Sequence, residues 1–217
     1  MDEHQQSLAD LQHIKKMMER SSRFISLSGL SGVSAGVCAI MGAFVAYPFI
    51  FEEKEILIYP AIGIIQAMAK DYTIIFNTWL FWIAAATFTA ALLFAFLFTW
   101  RKSKKEGIPV WGATSKRVVF NLAIPLLAGG IFIFRMLFVS DDNSGLIAPA
   151  CLIFYGLALI NASKYTLFEV RQLGFIELIL GFLNLWFVKY GFYFWVVGFG
   201  IFHIVYGSYM WWKYERK

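Results

Sequence analysis

Residues 24–50, FISLSGLSGVSAGVCAIMGAFVAYPFI, contain no charged side chain. About 20 consecutive apolar residues suffice to cross the hydrocarbon core of a bilayer, so this stretch predicts a membrane span. Within it Ser28, Gly32 and Gly36 recur at every fourth residue, a smooth ridge on which another helix can approach closely. Outward from this stretch, further spans are predicted at about residues 73–100, 118–139, 146–161, 173–188 and 190–212. Residues 51–72 are different. Glu52, Glu53, Glu55 and Asp71 bracket an apolar run broken by Pro60 and Gly63, too short to span, and an outer interfacial segment is expected there. The fold class is therefore all-α: a polytopic membrane helical bundle with six transmembrane helices, occupying residues 23–217.

Composition agrees. Of the 217 residues 59% are hydrophobic and only 15% charged, against roughly 25% charged in a soluble domain. Almost the whole chain is used in spans, which leaves no room for a separate folded domain. The net charge of +5 does not point to nucleic acid, because the basic residues sit beside span ends, where orientation and anionic headgroups account for them. Cys38 and Cys151 lie in apolar runs without CxxC spacing and predict neither a disulfide framework nor a metal site. A cleavable signal peptide is not expected, since residues 1–23 are polar and the first apolar run is too long for a signal core.

The same basic residues set an orientation. In the six-span reading Lys54, Lys70 and Lys189 fall on one side and Arg135 lies within a span, so fifteen of the 19 Lys and Arg fall on the other side. Cytoplasmic loops collect positive charge, which predicts that both termini are cytoplasmic and the protein sits in a cell membrane. Trp100, Trp211 and Trp212 then mark the inner boundary and Trp186 the outer one. Residues 1–22 read as an amphipathic helix, with Leu8, Leu11, Ile14 and Met18 at helical spacing among Lys15, Lys16 and Arg20. Such a helix either lies on the inner headgroup surface or docks a cytoplasmic protein partner.

Ionisable residues at bilayer depth are costly and mark candidate sites. Glu177 lies mid-span on a stripe with Gly174, Gly181 and Asn184, and His203 lies mid-span between Gly200 and Gly207. The last two spans form a hairpin turning near Lys189. Gly174 and Gly207, Gly181 and Gly200, and Glu177 and His203 lie at matching distances from that turn. The spacing therefore predicts that small residues face one another and the helices close tightly around a Glu177–His203 hydrogen bond. Such a pair could bind a proton or orient a polar solute; equally it could only fix helix register. Arg135 is the other candidate, either neutralising Glu177 or snorkelling toward Asp141 and Asp142. Asn161 and Tyr155 read as interhelical hydrogen-bonding residues. The chain has no GxxxxGK[ST], HExxH or Gly-x-Ser-x-Gly motif, so no catalytic residue, cofactor or metal is expected.

The stretch MMERSSRFISLSGLSGVSAG, residues 17–36, resembles the amino-terminal region of uncharacterised small bacterial integral membrane proteins. That resemblance implies a bacterial inner membrane and carries no activity. Three function classes follow from the residues. They are a non-enzymatic accessory or sensory membrane protein, a small proton-linked or solute transporter or channel with a midplane polar site, and an intramembrane enzyme. The first is favoured, since discontinuous helices and a convincing repeat are lacking for a transporter and convergent polar residues are lacking for an enzyme.

Overall fold

The computed structural model describes residues 27–51, 79–107, 109–137 and 145–216. The amphipathic helix expected over 1–22, the interfacial segment beyond Phe51, and Asp141 and Asp142 lie outside the described residues. Among the described residues the chain is all-α, with six helices. These are α1 (Gly29–Phe51), α2 (Trp79–Glu106), α3 (Ala113–Leu137), α4 (Ile147–Ala162), α5 (Phe168–Trp186) and α6 (Val188–Tyr214).

Local chemistry fixes the helix ends. Lys104 and Lys105 occupy the last turn of α2, where the helix dipole favours cations, and Gly107 (φ 68°) takes the left-handed conformation that stops it. Ser115 accepts a hydrogen bond from the Gly112 amide at 3.3 Å and so organises the start of α3. A short 3-10 turn, Ser163–Tyr165, and extended Thr166 separate α4 from α5. Asn184 closes the α5–α6 turn by donating to the Phe187 carbonyl at 3.0 Å.

Five of the helices are long and apolar enough to cross a membrane: α1, α2, α3, α4 with its following turn, and α6. The 23 residues of α1 extend about 35 Å, enough for a hydrocarbon core of about 30 Å. The remaining helix, α5, carries Glu169, Arg171 and Glu177. Large apolar side chains stand exposed around the bundle, among them Phe44 at 81% and Trp186 at 84%. A water-facing protein does not tolerate such extended apolar surface, whereas a lipid-facing one requires it. The chain is a polytopic helical membrane protein.

α6 is the central helix. It packs on α1 along one side and on α4 and α5 along others; α1 also packs on α2, and α4 on α3 and α5. Glycines set the closest approaches. A Cβ on Gly36 would come within 2.6 Å of the Gly200 carbonyl oxygen, and one on Gly32 within 3.1 Å of Gly207 Cα. A Cβ on Gly174 would come within 2.9 Å of the Gly156 carbonyl oxygen, and one on Gly181 within 3.0 Å of the Ile153 amide nitrogen. The facing of Gly174 with Gly207 and of Gly181 with Gly200, expected from the hairpin, is thus not formed. Gly174 and Gly181 of α5 receive α4, and Gly200 and Gly207 of α6 receive α1. Equal depth in a hairpin does not fix rotation about the helix axis, and these four glycines have turned to neighbours outside the hairpin.

These contacts predict a sharp contrast. Gly207→Ala places a methyl against the backbone of Gly29, Gly32 and Val33, and is expected to destabilise the protein by ~1–3 kcal/mol. Gly130 has nothing within 4 Å of its Cβ position, so Gly130→Ala leaves stability unchanged or slightly raised. Thermal unfolding in detergent distinguishes the two.

Candidate functional site

Glu177 on α5, His203 on α6 and Tyr155 on α4 meet inside the bundle. Glu177 is fully buried and His203 is 5% exposed. The imidazole is held from both sides. Its Nδ1 lies 3.0 Å from the Gly198 carbonyl oxygen, which only accepts, so Nδ1 donates; its Nε2 then accepts from the Tyr155 hydroxyl at 2.8 Å in the neutral ring. Tyr155 and Phe199 also lie close to the imidazole ring, the Phe199 ring stacked at a centroid distance of 6.0 Å.

The expected Glu177–His203 hydrogen bond is not made. Glu177 Oε1 stands 3.5 Å from Nδ1, close enough for a charge–charge interaction in the carboxylate–imidazolium state. Neither carboxyl oxygen has a hydrogen-bond partner. A polar group buried without partners costs free energy, and at membrane depth the cost is greatest. Close packing encloses it: a Cβ on Gly198 would lie 2.5 Å from Glu177 Oε2 and 2.6 Å from Leu152 Cδ2. Glycine at 198 therefore makes the space that the carboxyl fills.

A local change of helix type aligns these groups. Residues Val196–Phe202 of α6 form a π-helical stretch ending at His203. The wider turn shifts the residues beyond it around the axis and brings the imidazole over the Gly198 carbonyl, five residues back. Sequence reasoning identified Glu177 and His203 but not Gly198 or the π-helical turn. The signal available was Val-Val-Gly-Phe-Gly just before a buried histidine.

The other sequence candidates lie elsewhere. Asn184 is fully buried at the α5–α6 turn, about 10 Å along α5 from Glu177 at 1.5 Å per residue, and its Oδ1 has no hydrogen-bond partner. Arg135 is exposed in the last turn of α3 and forms no ion pair with Glu177. Ser28 stands at the head of α1, where its hydroxyl donates to Glu215 at 3.1 Å. Asn161 bridges α4 to α3 by donating to the Asn121 carbonyl at 2.9 Å.

Two polar clusters at the opposite end of α6 were not anticipated. Glu215 accepts from the Gly29 amide at 2.6 Å and lies 3.4 Å from Lys102 Nζ, which also donates to the Leu27 carbonyl. The carboxylate thus satisfies the orphan donors at the start of α1 while neutralising a buried lysine. Glu169, at the start of α5, accepts from Lys213 at 2.5 Å and Tyr214 at 2.8 Å. Burial alone would push the Glu169 carboxyl up, but the hydrogen bonds from Lys213 and Tyr214 outweigh it and hold it below its ordinary range.

Comparison with known protein families, curated proteins and solved structures finds no match to this chain. The class is accordingly defined by the fold and by one enclosed carboxyl–imidazole–phenol cluster.

Two measurements check this geometry. Gly198→Ala is expected to cost ~1–3 kcal/mol of stability, and less in a Glu177→Ala background, where the obstructing carboxyl is gone; additive losses would contradict the contact. Because the Glu169 carboxyl is depressed in the folded state, its contribution is complete above the unfolded value of about 4.3 and is lost as pH falls through the folded value. Glu169→Gln should therefore cost up to ~1 kcal/mol at neutral pH and nothing in strong acid, as read by unfolding temperature against pH.

Proposed function

We propose that this chain is a non-enzymatic accessory or regulatory protein of the bacterial inner membrane. In this reading α5 also crosses the membrane over about residues 173–188, as the fifth of six spans, both termini are cytoplasmic, and residues 1–22 form the amphipathic element that meets a cytoplasmic partner or the inner headgroups. The Glu177–His203–Tyr155 cluster acts as an internal lock with two charge states, neutral–neutral and carboxylate–imidazolium, and sets the register of α6 against α4 and α5.

The observation that carries this reading is the enclosure of Glu177. A passage for a solute requires open space beside the carboxyl, whereas Glu177 is fully buried and its Oε2 is packed against Gly198. Orientation is supported by the gathering of Lys102, Lys164, Arg171 and Lys213 at the end of the bundle where α2, α4 and α6 finish and α5 begins. The transporter reading draws on one feature, the two unpartnered oxygens of Glu177. An enzyme would need a substrate-accessible cleft around this cluster, and a fully buried carboxyl does not offer one.

Reconstitution tests the choice. Proteoliposomes carrying an internal pH dye are expected to respond to an imposed gradient as empty vesicles do, with wild type and Glu177→Gln alike. Flux that depends on Glu177 would replace this reading with the transporter one. Impermeant thiol labelling of a cysteine placed in the 101–117 connection, with Cys38 and Cys151 replaced, is expected only from the cytoplasmic side.

A further inference from the structure

The turn between α4 and α5 carries an open cavity of about 330 Å³ lined by Ile160, Ser163, Lys164, Thr166, Phe168 and Arg171. Its charge is unbalanced. Lys164 Nζ donates to the neutral Asn161 Oδ1 at 3.1 Å, and the Arg171 guanidinium lies over the Phe175 ring at 5.5 Å. Neither has a carboxylate partner among the described residues. Glu169, the nearest acid on α5, is taken up by Lys213 and Tyr214. The start of α5 adds to the same field, because its cap residue, Leu167, offers no side-chain acceptor to the first amides of the helix.

The walls have a second character. Phe168 is 58% exposed, and Ile160, half-buried where it packs on Gly174 of α5, forms the second apolar wall. Two cations and a helix start thus stand at the mouth of an apolar groove, at the end of the bundle where the basic residues gather. This is the chemistry of an anionic headgroup with its acyl chain attached, since a free anion would gain nothing from the apolar walls. We propose that this cavity binds the phosphate of an anionic phospholipid, held by Lys164 and Arg171 with the acyl chain along Ile160 and Phe168. The proposal depends on the polytopic membrane character of the chain and not on the role of Glu177.

The test compares unfolding temperatures of the full chain in micelles of phosphatidylcholine alone and with phosphatidylglycerol added, with inorganic phosphate as a separate arm. Phosphatidylglycerol should raise the unfolding temperature of the wild type, and Lys164→Gln/Arg171→Gln should lose most of that gain. The charge-matched control Lys104→Gln/Lys105→Gln, at the same end but outside the cavity, should keep it. Both altered pairs are exposed, so both variants should fold. The proposal is overturned by an equal gain in both variants, by no gain over phosphatidylcholine, or by inorganic phosphate alone reproducing the effect.

Discussion

Close backbone approach between α1 and α6 is the contact on which the rest of the bundle depends. Lipid tails are as apolar as leucine, so helices in a membrane gain little by hiding apolar side chains from their surroundings. They associate where small residues let backbones touch and dispersion contacts multiply. Gly32 and Gly36 on α1 meet Gly207 and Gly200 on α6 in this way. The consequence reaches beyond one pair, because α6 joins α1 and α2 to the group formed by α3, α4 and α5. Loss of that seam would leave two helical groups with few contacts between them.

The π-helical turn reconciles two demands on α6. Gly200 must face Ile40 and Gly36 on α1, while Gly198, two residues earlier, must face Glu177 and Leu152. Each position needs the absence of a side chain for a different neighbour. A stretch with a wider turn redistributes the residues around the axis, and His203 emerges from it aimed at its own backbone carbonyl and at Tyr155. Such bulges are uncommon in helices and recur at functional sites. Here the bulge, the enclosed carboxyl and the imidazole coincide within a single turn.

Much of the helical pattern was legible in the sequence, because the requirement that backbone groups be satisfied in lipid turns a long apolar run into a helix almost without alternatives. Glu177 and His203 stood out for the same reason, as ionisable residues inside such runs. What the sequence did not convey was rotation. Gly174 and Gly207 sit at equal depth and look like partners, yet one receives Gly156 of α4 and the other Gly29 and Gly32 of α1. Depth is counted along the chain, whereas facing depends on how all the helices share their small surfaces at once. The end clusters were hidden for a related reason. Glu215 and Lys102 are far apart in sequence, and nothing local to KYERK predicts that a carboxylate there will head α1.

All four features described above converge on α6. Its glycines bind α1, His203 answers Glu177 and Tyr155, Lys213 and Tyr214 hold the start of α5, and Glu215 just beyond its end holds the start of α1 and Lys102. A rigid helix tied at so many places cannot shift at one of them alone. Were the Glu177–His203 pair to change charge state, its altered attraction would act on α6 at mid-depth. Movement would then appear at the end of α6, where the Lys213–Glu169 pair with α5 is partly open to solvent, while the Lys102–Glu215 pair with α2 is largely buried. The central helix is thus the element common to the closed interior cluster and to the polar contacts that hold the starts of α5 and α1.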